Sequence, residues 1–190
     1  MLAEKLREAF GRFNAGDAAG TERLCGEILK QAPDNADALH LLGVVHLMSG
    51  NATDAVSLLN KAMAAKPEDA AILDNLAVAY LAAQQYPQAE AVIRKALSLG
   101  ASHGLLYMRL GLALGAQGKL AEAVDELRIA AKRAPEDPVV HLNLGNALAE
   151  SGQADEAAAC YRRSIVLQPG FVDAHFNLGT LLMRGGRLDE

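Results

Sequence analysis

The chain has 190 residues, 51% of them apolar but only 4% aromatic, and a formal net charge of −5. That length allows one domain with a proper core, the mild acidity argues against nucleic acid as the main partner, and no run approaches the ~20 apolar residues of a membrane span. The opening MLAEKLREAFGRF lacks the apolar stretch of a secretory signal, so a cytoplasmic location with no membrane partner is expected.

One pattern returns every 34 residues: Leu42-Gly43, Gly50, Ala55, Leu59 and Pro67 reappear as Leu110-Gly111, Gly118, Ala123, Leu127 and Pro135, then as Leu144-Gly145, Gly152, Ala157, Tyr161 and Pro169. Within a repeat the apolar positions fall three and four apart, as in Leu39, Leu42, Gly43 and His46 and then Ala55, Leu59 and Ala62. This spacing predicts two helices per repeat, each with one stripe to bury. Gly43, Gly111, Gly145 and Gly179, with Ala77 in the equivalent place, are expected where bulk would hold the paired helices apart. Ala55, Ala89, Ala123 and Ala157 mark a similar close approach on the second helix. Gly50, Gly118, Gly152 and Gly186 follow the first helices, where a left-handed cap would let the chain reverse.

In chain order, residues 2–35 form a degenerate first repeat, with Glu8 and Arg12 at positions that are apolar later, as suits a terminal cap facing water. Repeat 36–69 is regular, and Asn35 supplies a capping residue for its start. Repeat 70–103 replaces the turn glycine by Gln84 and the closing proline by Ala101, while Pro87 suits the first turn of a helix. The join Leu99–Gly104 therefore has two glycines and no proline, and flexing is expected there. Repeats 104–137 and 138–171 are regular, with Asp137-Pro138 as cap and first helical residue. Repeat 172–190 stops at Leu188-Asp189-Glu190, before the alanine of its second helix. The preferred expectation is a native chain that continues; otherwise the open helix, with Phe176, Leu178, Leu181, Leu182 and Met183, would dock on another molecule or self-associate.

A 34-residue helix-turn-helix unit with a large residue, Leu-Gly, a distal alanine and a closing proline resembles the tetratricopeptide repeat family over the whole chain. The resemblance implies an all-α fold, a right-handed α-solenoid of antiparallel helix pairs forming one domain. The phrases HLNLG and HFNLG look like the repeat arm of O-linked N-acetylglucosamine transferases and related bacterial repeat proteins.

Chemistry is nearly silent. The sequence has no phosphate-binding glycine loop, no H-E-x-x-H and no nucleophile elbow, so no catalytic residue, cofactor or metal is expected. His141 and His175 stand 34 residues apart and are read as large residues packed against the neighbouring second helix rather than as metal ligands. Cys25 and Cys160 are read as packing thiols of a reducing compartment.

Function is therefore expected on the face that, in this family, is lined by the first helices and takes an extended peptide or a partner helix. Resemblance turns six positions of each repeat inward, the second, fifth, sixth, ninth, twelfth and thirteenth. The sixth yields Asn75, Asn143 and Asn177, with Arg109 interrupting the series, and an amide ladder could both donate to and accept from a peptide backbone. The expected groove also includes Asp74, Val78, Leu81, Met108, Leu112 and Asn146, apolar in the middle and polar toward Asp37 and His40 early and Glu150 and Thr180 late. Some family members clamp a chaperone's C-terminal carboxylate. Asn75 and Arg109 match two of those positions, but His40, Val44 and Leu105 replace two lysines and an asparagine, so that clamp is rejected. The chain is read as a non-catalytic protein-binding scaffold; the alternative is a substrate-recruiting arm of a larger enzyme, glycosyltransferase or sulfotransferase, with its catalytic domain beyond residue 190.

Overall fold

Three of the first helices start where the sequence supplies both a stop for the preceding helix and a side chain to satisfy exposed N–H groups. The computed structural model describes residues 1–184, so the expectations for Gly186 and Leu188–Glu190 lie outside the described residues. Among the described residues there are eleven α-helices and no strand, which makes the fold an all-α helical repeat solenoid. The helices fall into two compact units that divide between Gly100 and Ala101, within the join noted in the sequence.

The first unit holds α1 (Leu2–Asn14), α2 (Ala18–Gln31), α3 (Ala36–Met48), α4 (Ala52–Ala65), α5 (Ala70–Ala82) and α6 (Tyr86–Ser98). The second holds α7 (Gly104–Ala116), α8 (Leu120–Arg133), α9 (Pro138–Glu150), α10 (Ala154–Leu167) and α11 (Val172–Arg184). Asn35 accepts from the Ala38 N–H at 2.9 Å, Asp69 from Ala71 and Ile72 at 3.0 and 3.1 Å, and Asp137 from Val139 at 2.8 Å. Such caps are worth roughly 0.5–2 kcal/mol each. At α7 the corresponding residue is His103, which makes no side-chain cap. There the Arg133 guanidinium lies 5.0 Å from the centre of the Tyr107 ring and donates to the Ser102 carbonyl at 2.9 Å, which ties the start of the second unit down. The join is thus better anchored on that side than its glycines suggest.

Paired helices meet through a large residue set against a glycine. A Cβ on Gly43 would stand 2.7 Å from Leu59 Cγ, one on Gly111 2.5 Å from Leu127 Cγ, and one on Gly145 2.6 Å from Tyr161 Cε1. In repeat 3 the equivalent positions hold Ala77 and Ile93, both fully buried. The four alanines Ala55, Ala89, Ala123 and Ala157 are likewise inaccessible. Gly179 differs from its equivalents: nothing lies within 4 Å of a Cβ there, because no second helix covers α11 among the described residues. On α11, Phe176 is 71% and Met183 66% exposed.

Around this axis the second unit builds its core from Val124, Leu127, Val140, Leu144, Leu148 and Tyr161. In the first unit Ala9, Leu24, Cys25 and Leu41 form one cluster and Leu39, Ala62 and Ile72 another. Cys25 is fully buried and desolvation pushes its thiol up to about 11, so it is a packing group and not a nucleophile.

Gly50, Gly118 and Gly152 adopt φ of +78°, +77° and +80°, and Gln84 takes the same turn with φ +57°. The hydrogen bonds match: the Gly50 N–H reaches Leu47 O and the Asn51 N–H reaches His46 O, as the Gln84 N–H reaches Leu81 O and the Gln85 N–H reaches Tyr80 O. The tertiary turn overrides the side chain's preference for negative φ. Gln84→Gly is therefore expected to stabilise the first unit by roughly 0.5–1 kcal/mol, the relief of left-handed strain less glycine's greater unfolded-state entropy. Thermal melting of the two proteins checks this.

Candidate functional site

The faces of the first helices carry the expected groove residues, and the two units differ in what they make of them. In the first unit Asp74, Asn75, Val78 and Leu81 lie on α5, each half-buried. The Asn75 amide Nδ2 lies 2.8 Å from His40 Nε2 on α3. The amide donates here, so the imidazole has to be neutral and present its lone pair. Burial does hold the His40 pKa below its ordinary value, against the pull of Asp69 and Asp37 and with Lys66 opposing protonation.

A depressed histidine pKa means that the unfolded chain takes up the proton first as the solution is acidified. Stability of the first unit is thus expected to fall as pH drops from about 6.5 through the folded pKa. Melting temperatures at pH 7.5 and 5.0 should separate more in the wild type than in His40→Gln, whose amide keeps a partner for Asn75 without titrating.

In the second unit six expected residues are distributed over three helices. Leu112 on α7 and Asn143 and Asn146 on α9 line a cleft of about 270 Å³ together with Gly111, Gly115, Ala116, Leu127, Ala147 and Glu150. Asn146 and Asn177 line a second cleft of about 330 Å³ with Ala149, Glu150, Tyr161, Thr180, Leu181 and Arg184. The clefts share Asn146 and Glu150 and run from α7 across α9 to α11. Neither lining includes Arg109, a half-buried residue of α7. Met108, expected in the groove, is 8% exposed and packs in the core of the second unit. Its place one residue before Arg109 turns it under α9, where its sulfur sits 3.5 Å from Asn143 Nδ2.

The three asparagines of the expected ladder also bond within the protein. One N–H of each is engaged inside the protein: Asn75 with His40, Asn143 with the Val139 carbonyl at 3.0 Å, and Asn177 with Asn146 Oδ1 at 2.8 Å. The Asn146 oxygen accepts a second bond from the Tyr161 hydroxyl at 3.0 Å. Burial, reinforced by Glu150 and Cys160, pushes the Tyr161 pKa up to about 12, so this hydroxyl keeps its proton. Asn75 and Asn177 thus tie their helices to the preceding first helix, whereas Asn143 bonds a carbonyl of its own helix, and each of the three keeps its amide oxygen.

His141 and His175 each place Nε2 2.8 Å from the carbonyl of the proline that closes the preceding repeat, Pro135 and Pro169, a bond the sequence reading did not include. Sequence reasoning also passed over Gly115 and Ala116, which occupy inward positions held by Leu47 and Met48 in repeat 2. Their missing side chains open the α7–α9 cleft, and that loss of bulk at the twelfth and thirteenth positions was the signal available.

Against this geometry stand the comparisons. Profiles described as tetratricopeptide repeat match residues 12–73, 46–103 and 114–165, and another matches 75–138. A TPR repeat profile matches 145–186. The chain belongs to the tetratricopeptide repeat family. No curated protein gives a significant match. Among solved structures, the thermophilic tetratricopeptide protein TTC0263 of Thermus thermophilus is 21% identical, with TM-score 0.69 over 96% of this chain and 100% of that one. MamA (residues 41 to the end) of Desulfovibrio magneticus RS-1 is 18% identical, with TM-score 0.82 over 90% and 97%. YrrB, described as a TPR protein with an unusual peptide-binding site, is 21% identical, with TM-score 0.68 over 86% and 84%. At these identities the likeness is one of fold. It points to the tetratricopeptide family as a whole and not to the glycosyltransferase arm in particular. Among the described residues no helix is long and apolar enough to cross a membrane.

Proposed function

We propose that this tetratricopeptide repeat protein is a non-catalytic scaffold that holds an extended peptide or a partner helix, chiefly on the α7–α9–α11 face of its second unit. The observation that carries the reading is the pair of adjoining clefts that share Asn146 and Glu150 and together line three successive first helices. A continuous track of this kind suits a chain laid across the helices better than a compact small molecule. Its walls mix carbon from Leu112, Ala116 and Leu181 with hydrogen-bonding atoms from asparagine and threonine. YrrB lends support by analogy, as a relative in fold described as having a peptide-binding site.

The test uses peptides selected on this chain from a random display library. Ala116→Met, which fills the first cleft, and the double variant Asn143→Ala/Asn177→Ala are each expected to weaken the selected peptides about tenfold, the equivalent of roughly 1.4 kcal/mol. Circular dichroism should show unchanged helicity. Affinities unmoved by both variants would place the peptides elsewhere and end this reading.

A further inference from the structure

We infer that the α7–α9 cleft is a pocket for a basic side chain, lysine or arginine, of the bound segment; this rests on the scaffold reading above. The cleft, about 270 Å³, takes its carbon wall from Leu112, Gly115, Ala116, Leu127 and Ala147 and its polar atoms from Asn143, Asn146 and Glu150. Glu150 is the single charged residue in its lining. That carboxylate is exposed and makes no hydrogen bond or ion pair with the described residues. Of the neighbouring polar groups Asn143 is biased the same way: its amide N–H groups go to the Val139 carbonyl and the Met108 sulfur, which leaves its oxygen for a ligand, while the Asn146 oxygen is already taken by Tyr161 and Asn177.

A carbon-walled trough ending at an unpaired carboxylate matches a side chain with a methylene stem and a cationic head, which keeps its charge wet while burying its carbons. An acidic side chain would meet Glu150 with the same sign, and a short neutral one would leave the trough unfilled. Arg184 shares the adjoining α9–α11 cleft with Glu150, but no ion pair joins the two among the described residues. Charge complementarity thus selects the occupant, and the rejected carboxylate clamp agrees with it: an acidic C-terminal peptide should bind poorly.

A random twelve-residue display library is panned on the wild-type chain and on Glu150→Lys, and the winners are titrated by fluorescence anisotropy. Wild-type winners are expected to share a lysine or arginine beside apolar residues. Replacing that residue by norleucine should weaken binding about fivefold, near the upper end for a solvent-accessible ion pair. Glu150→Gln should weaken the parent peptide about as much while leaving the norleucine peptide unchanged, and Glu150→Lys should select acidic residues instead. Winners without basic enrichment that still respond to Ala116→Met would overturn the basic pocket and leave the groove standing. Winners indifferent to Ala116→Met, to Glu150→Gln and to Asn143→Ala/Asn177→Ala, or no winners at all, would overturn the pocket and the groove together.

Discussion

Gly145→Leu is expected to unfold the second unit at a temperature well below that of the wild type. The first carbon of any side chain at Gly145 would already stand 2.6 Å from one Tyr161 ring carbon and 2.7 Å from the next, so the tyrosine has to leave its site or the helices have to part. Tyr161 is 3% exposed and its hydroxyl bonds to Asn146, so moving it breaks both packing and a hydrogen bond. Overpacking of this kind costs roughly 1–3 kcal/mol and more for a residue as large as leucine. In a domain of this size each 1 kcal/mol shifts the melting temperature by about 4–8 °C. The protein's own third repeat suggests a control, since there the equivalent positions hold Ala77 and Ile93. Gly145→Ala combined with Tyr161→Ile should therefore melt closer to wild type than Gly145→Ala alone. Equal melting temperatures for those two variants would show that the contact does not limit stability.

Leu127→Ala should be comparably damaging by the opposite route. Leu127 is 2% exposed, fills the space over Gly111 and belongs to the core of the second unit. Truncating it leaves a void flanked by helices that cannot easily close on it, at a cost of about 2–5 kcal/mol. Because repeats in such folds are held mainly by their neighbours, the damage should spread unevenly. Hydrogen exchange should lose protection in α7–α10 before α3 and α4. Uniform loss along the chain would mean that the repeats melt as one block. The same residue also floors the α7–α9 cleft, so the variant should weaken selected peptides even at temperatures where it remains folded.

The three asparagines show where sequence reasoning runs out. Their register at the sixth position was readable from the 34-residue spacing, but their hydrogen-bond partners lie 31 and 35 residues away for Asn177 and Asn75, on the preceding first helix. Which end of an amide faces a ligand depends on those partners, and no local pattern encodes them. Met108 makes the same point with burial. A one-residue step around a helix turns a side chain by about 100°, enough to move it from an open face to the core. Gly115 and Ala116 were legible as small residues, yet that they open a cleft follows only from how α7 packs beside α9.

By itself the sequence determined the repeat length, the all-α fold, the close helix approaches at Gly43, Gly111 and Gly145, and the family. These follow from residue size and helical period, which act over one or two turns and recur identically in each repeat. Only the tertiary structure decided which partner each asparagine amide finds, that His141 and His175 bind turn carbonyls, and that Glu150 stands unpaired among the described residues beside the α7–α9 cleft. Those outcomes depend on atoms brought together from helices some thirty residues apart, where a shift of an ångström changes which partner a polar group finds.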